Sequence, residues 1–133
     1  MSQENVEVVR RAYAHFQATG DLLDELLAAD LEWDMSKFGG WPEQQLYRGA
    51  GGARVFIGQW VAPWDDYQLE IDALHDVGDV VVAVARQRTR SKATGMVITD
   101  QFAQVWTLRD GVAVRIEAYH DVDEALKAAD LKE

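Results

Sequence analysis

The stretch from Met96 to Asp121 constrains this chain more than any other, because it reads as one long β-hairpin: MVITDQFAQVWTL, the turn RDG, then VAVRIEAYHD. Side chains of a strand alternate between its two faces, so Ile98, Asp100, Phe102, Gln104, Trp106 and Leu108 form one continuous row. That row is large and mostly apolar, with Asp100 and Gln104 as its polar members. The opposite row, from Val97 through Ala103 and Val105 to Thr107, is smaller and more polar. In the second arm Val112, Val114, Ile116, Ala118 and His120 share a face, and Arg115, Glu117 and Tyr119 share the other. Asp110-Gly111 is a strong turn signal, because Gly tolerates the positive φ of tight hairpin turns. An apolar hairpin face that holds a few polar groups reads as the wall of a ligand pocket.

The remaining chain supplies what covers that wall. Val6, Val9, Tyr13 and Phe16 recur at helical spacing and predict an amphipathic helix over residues 3–18. Ser2 is placed to cap it, Glu4 suits its N-terminal dipole and Gly20 its C-terminal end. Asp21 begins a second short helix (LLDELLAA), and Leu31–Met35 reads as a short strand. SKFGGWPEQQLYRG is irregular and carries Trp41 and Tyr47, aromatics suited to covering a pocket or packing at the core edge. A third helix runs from Ala50 to Ala62, followed by strands at 66–76 and 79–91, the hairpin, and a last helix from Asp121 to Ala129. Helices followed by a run of long strands joined by tight turns make an α+β fold, a curved antiparallel sheet with helices on its concave face.

At 133 residues the whole chain, 1–133, is one domain, and 48% apolar residues is a globular value. A formal charge of −10 argues against nucleic acid, which demands clustered Lys and Arg. With no Cys, disulfides, thiolate catalysis and Cys-ligated zinc are excluded. His15, His75 and His120 are too scattered for a metal site, and Gly49, Gly51 and Gly52 lack the Lys-Ser/Thr of a phosphate loop. No signal peptide or membrane span is read, so the expected location is cytoplasmic.

Three segments carry a resemblance: NVEVVRRAYAHFQATGDLLDELLAADLEWD, YRGAGGARVFIGQW and FAQVWTLRDGVAVRIEAYHD. Together they resemble the SnoaL-like branch of the NTF2-like superfamily, which also holds ketosteroid isomerase, limonene epoxide hydrolase and scytalone dehydratase. The resemblance spans nearly the whole chain and implies a cone-shaped α+β barrel, a pocket between helices and sheet, and a homodimer through the outer sheet face. It is specific for the fold and not for the function, because this fold hosts many activities.

The resemblance also points to residues. Tyr13 matches an oxyanion-donating tyrosine of ketosteroid isomerase; as a bare residue it reads as a core aromatic. Asp34 matches that enzyme's general base, yet Leu31, Trp33 and Met35 form the apolar face of its strand, and alternation turns Glu32 and Asp34 away from it. Both orientations stay open at this point. Gln104 stands where the isomerase has a protonated acid, which disfavours true ketosteroid isomerase activity. Asp100, four residues earlier on the same face, replaces that acid only in a different geometry. His120 ends the pocket face of the last strand, where an imidazole titrates near neutrality, and also reads as a half-exposed edge residue. Asp121 reads as the cap of the last helix. Arg86, Arg88 and Arg90 share one strand face, ordinarily a solvated outer face, whereas the resemblance sets Arg86 and Arg88 on the concave side. The epoxide hydrolase's aspartate aligns with Ala118, which disfavours that activity.

The reading is a protein that binds a small, largely apolar molecule without a cofactor or metal. In an isomerase- or cyclase-type enzyme, Asp34 or His120 moves a proton beside a carbonyl and Tyr13 and Gln104 polarise its oxygen. Trp33, Phe102 and Trp106 shape the cavity, with Arg86, Arg88 and Asp100 as further contacts. The alternative is a domain of the same type that binds or dimerises without chemistry, the purely structural version having a pocket filled by Trp33, Trp106 and Phe56.

Overall fold

The computed structural model describes residues 2–132. Helix α1 (Ser2–Thr19) is followed by strand β1 (Leu27–Asp34), a short strand β2 (Leu46–Arg48) and helix α2 (Gly49–Val61). Four strands come next, β3 (Trp64–Val77), β4 (Val80–Ser91), β5 (Val97–Arg109) and β6 (Val112–Tyr119), and the last element is helix α3 (Val122–Lys132). The six strands make one curved, unclosed sheet in the order β2-β1-β6-β5-β4-β3. Its pairings are antiparallel except β1 with β6, which is parallel.

The second helix expected from Asp21 is a single 3-10 turn, Asp24–Leu26. Leu27 already pairs with Ala113 of β6, so sheet pairing overrides the helical propensity of this Leu/Ala-rich stretch. The capping role of Ser2 falls outside the described side chains. At the hairpin turn Asp110 and Gly111 both take positive φ, 53° and 79°, which a two-residue turn matched to the twist of the strands requires. A register shift beside this turn moves the alternation of β6. Ala113, rather than Val114, therefore joins Ile116 and Ala118 in the core.

Register sorts the two sheet faces. Val81, Trp106, Ile116, Trp33 and Tyr47 lie level across five strands, and all are buried in the core under α1 and α2. One residue along, Val82, Val105, Glu117 and Asp34 are level on the opposite face, where Val82 and Val105 pack with Ala125 and Ala129 of α3. Asp121 caps α3, accepting from the backbone N–H groups of Asp123 (2.8 Å) and Glu124 (3.3 Å). Gly49 begins α2 at a φ of 69°, where a Cβ would sit 3.4 Å from the Ala29 carbonyl oxygen.

Trp106 is 4% exposed, edge-on to Tyr13 at 5.4 Å. Trp106→Ala should destabilise the protein by about 3–5 kcal/mol in urea denaturation; an unchanged midpoint would contradict the burial of this ring.

Candidate functional site

The concave face of β5 and the apolar faces of α1 and α2 enclose a cavity of about 50 Å³. Its wall is mostly aromatic: Trp33, Phe56, Trp60, Phe102 and Trp106 line it together with Tyr13, Phe16 and Tyr67. Period-two alternation delivers Phe102, Gln104 and Trp106 to it from β5, and the helical stripe delivers Tyr13 and Phe16 from α1. A wider, open groove of about 550 Å³ adjoins it between the C-terminal ends of α1 and α2 and the start of β3. Phe16, Ile57, Tyr67 and Leu69 line both spaces. The loop over residues 35–45 covers the aromatic side: Trp41 packs on Phe56 (5.4 Å) and Trp60 (5.5 Å) and donates to the Tyr47 hydroxyl at 3.1 Å.

Two hydrogen-bond chains furnish the polarity. At the inner end Trp106 Nε1 donates to the Tyr13 hydroxyl at 2.9 Å, and Tyr13 donates to Gln104 Oε1. Burial holds the Tyr13 hydroxyl above its ordinary titration range, against the lowering effect of Trp106, so it stays protonated. At the outer end Trp60 Nε1 is shared between the Tyr67 hydroxyl (2.9 Å) and Gln87 Oε1 (3.0 Å). Burial pushes Tyr67 up to about 12. Among the described residues that line the cavity there is no carboxylate, imidazole, ammonium or guanidinium group.

The charged residues lie elsewhere. Asp34 is 6% exposed but sits on the outer sheet face. It pairs there with Arg115 Nη2 and with Lys37 Nζ (3.3 Å), and its Oδ1 accepts from the Ser36 backbone N–H at 2.7 Å. Burial works to raise its pKa, but the bonds from Ser36 and Lys37 prevail and hold the carboxyl below the usual aspartate range. Lys37 also reaches Glu117 at 3.1 Å; burial works against its charge, yet Glu117 and then Asp34 raise its pKa. Arg115 bonds Glu32 as well, which in turn holds Arg48 at 2.8 Å.

Arg86 and Arg88 correct what the resemblance implies for them, since both are exposed on the outer face. Arg86 pairs with Asp72 at 2.7 Å and Arg90 with Asp66 at 3.7 Å. Continuous pairing along β4 leaves Ala85, Gln87 and Thr89 for the concave side. Asp100 is exposed and does not line the cavity. His120 is exposed and meets the wall only through Phe38, whose ring lies 5.1 Å from it and 5.4 Å from Trp60. The structure therefore brings Tyr13, Trp33, Phe102, Gln104 and Trp106 together and leaves Asp34, Arg86, Arg88, Asp100 and His120 outside. Trp60, Tyr67 and Gln87 were not singled out from sequence. Alternation within RQRTR was the available signal for Gln87, since an outer arginine row puts it inside.

A family model described as a SnoaL-like domain matches residues 9–116. The chain belongs to the SnoaL-like family. Solved structures place this SnoaL-like domain among NTF2-like folds. An NTF2-like protein from Burkholderia thailandensis is 27% identical, with a TM-score of 0.75 over 97% of this chain and 98% of that one. TerC, co-crystallised with polyporic acid, is 23% identical at a TM-score of 0.73, covering 95% and 98%. A protein of ketosteroid isomerase-like fold from Catenulispora acidiphila, in complex with trimethylamine, is 18% identical at 0.70, covering 92% of each chain. No curated protein matches the chain. No described helix is long and apolar enough to cross a membrane.

Asp34 is the group through which pH should act on stability. Its folded pKa is depressed, so its contribution is complete above the ordinary value of 3.8 and is lost as pH falls through the lower folded value. Asp34→Asn should cost about 1–3 kcal/mol near pH 7 in urea unfolding. That gap should close in acid below the folded pKa; a gap that persists there would mean the charge is not what stabilises.

Proposed function

We propose that this SnoaL-like protein binds a small, uncharged, largely apolar molecule between its helices and sheet, and holds it without moving a proton. The observation that carries this reading is the uncharged wall of the cavity. Proton transfer beside a carbonyl needs a base within hydrogen-bond reach of the carbon acid. The carboxylates and histidine that the sequence offers for that task lie outside the cavity lining. Burying a charged ligand there would leave its charge without a counter-ion, which costs far more than apolar contact returns. A neutral ligand meets aromatic surface on most sides and finds polar contact at Tyr13–Gln104.

Size supports a ligand that uses both spaces. Pockets for drug-sized molecules run to about 300–1,000 Å³, so the cavity of about 50 Å³ holds one end of such a molecule and the groove of about 550 Å³ receives the rest. The outer face assigned to a homodimer by resemblance is covered by α3 where Val82 and Val105 lie. A dimer there would be built from the charged rows of β3 and β4.

The test uses 1-tetralone, a neutral bicyclic ketone, in calorimetric titration and in deuterated buffer. Saturable binding should weaken about tenfold in Gln104→Leu, the loss of one hydrogen bond, and stay unchanged in Asp34→Asn. The hydrogens beside the carbonyl should exchange for deuterium no faster with protein than without it. Protein-dependent exchange would overturn the non-catalytic reading, and absence of binding would overturn the reading altogether.

A further inference from the structure

The sheet has free backbone edge beyond that of its two outermost strands. β4 pairs with β5 in an uninterrupted register from Val80↔Thr107 to Arg90↔Val97, but β6 meets β5 only from Ala103 onward. Among the described residues, 97–102 of β5 therefore have a partner strand on one side alone. The phase of the ladder fixes which backbone groups that leaves over. At one end of the register Met96 O accepts from the Ser91 N–H at 2.9 Å, and at the other the Leu108 N–H donates to Asp79 O at 3.0 Å. Even-numbered residues of β5 thus turn their N–H and C=O toward β4, and Val97, Thr99 and Gln101 turn theirs to the open side.

The outermost strands carry the devices that keep an edge from pairing. β2 is only Leu46–Arg48. β3 has register shifts at Trp64/Asp66 and Ile71/Ala73 and exposed carboxylates at Asp65, Glu70 and Asp76. Helix α1 also reaches it, Gln17 Nε2 donating to Leu69 O at 2.7 Å. The open segment of β5 has none of this protection: its register is unbroken, and it holds no Pro, Lys or Arg. With Val55, the large apolar side chains left exposed among the described residues are Met96 (61%), Val97 (47%) and Ile98 (37%). An unprotected apolar edge is a template for another strand.

We propose that a second copy of this chain adds to this edge, β5 against β5, antiparallel about a two-fold axis at Thr99. In that register Thr99 of one copy faces Thr99 of the other, and Val97 faces Gln101. The outward N–H and C=O groups of all three residues then pair, because the two-fold axis presents each donor with an acceptor. Thr–Thr pairs are favourable across strands, and the single charge of the segment, Asp100, faces Ile98 rather than its own copy. The formal charge of −10 opposes association. Near this edge, however, Arg86 and Arg90 are matched by Asp72 and Asp66. The contact closes at two copies, since an isologous interface uses the same patch on both. It involves neither the cavity nor the outer face under α3, and so stands apart from the binding reading.

The test is sedimentation at about 0.1 mM protein, where a contact of micromolar affinity is saturated. The wild-type chain should sediment at twice its own mass. Thr99→Pro removes only an outward N–H, which a strand tolerates on its open side. That variant should keep its far-ultraviolet circular dichroism and sediment as a monomer, its self-association weakened at least about tenfold. Thr99→Lys and Thr99→Glu each set like charges face to face across the axis and should also be monomeric. An equimolar mixture of those two should recover the dimer. A monomeric wild-type chain would overturn the proposal and leave the edge to a strand of another protein. A dimer that persists in Thr99→Pro and in both charged variants, or a mixture that stays monomeric, would equally overturn it.

Discussion

The parallel pairing of β1 with β6 sets Trp33 level with Ile116 and Asp34 level with Glu117, and the character of the site depends on that register. A strand has only two faces, so a register that buries Trp33 beside Ile116 and Trp106 must send Asp34 to the other side. There the carboxylate meets Arg115 and Lys37, and with Arg48 on Glu32 three cations face the three carboxylates Asp34, Glu117 and Glu32 on the outer face. A slip of one residue would bring two carboxylates under the helices and expel two large apolar side chains. The uncharged cavity and the charged outer face are therefore one structural decision.

That decision leaves no charged group among the described residues that line the cavity, which is the observation the binding proposal rests on. The polar groups that remain inside are neutral and arranged in series, so each is fixed by the one before it. Trp106 orients Tyr13, and Tyr13 in turn fixes which end of the Gln104 amide faces inward. Such a chain, anchored on α1 and β5, is a preorganised donor rather than an adaptable one.

Much of this was legible in the sequence. The alternation of Phe102, Gln104 and Trp106, the helical stripe through Tyr13 and the Asp-Gly turn all act over short spans, and the structure has them as read. The outer placement of Asp34 also followed from the alternation of Leu31, Trp33 and Met35, but resemblance pulled the other way. Family likeness carries a position in the chain, whereas the face that a side chain takes depends on local register. The shift near Leu108 that moves Ala113 into the core needs knowledge of both strands at once. The expected second helix failed for a similar reason, since Leu27 forms strand only because Ala113 is opposite it. Tyr67, Trp60 and Gln87 come from three separate elements, and no spacing in the chain announces that they converge.

The measurement that bears most directly on this account is a crystal structure of the protein with 1-tetralone bound. The account places the carbonyl oxygen within hydrogen-bonding distance of Gln104 Nε2, the ring between Trp106 and the α2 aromatics, and Asp34 still paired with Arg115 on the far side of the sheet. A ligand seated elsewhere, or Asp34 or His120 turned in to touch it, would contradict the account.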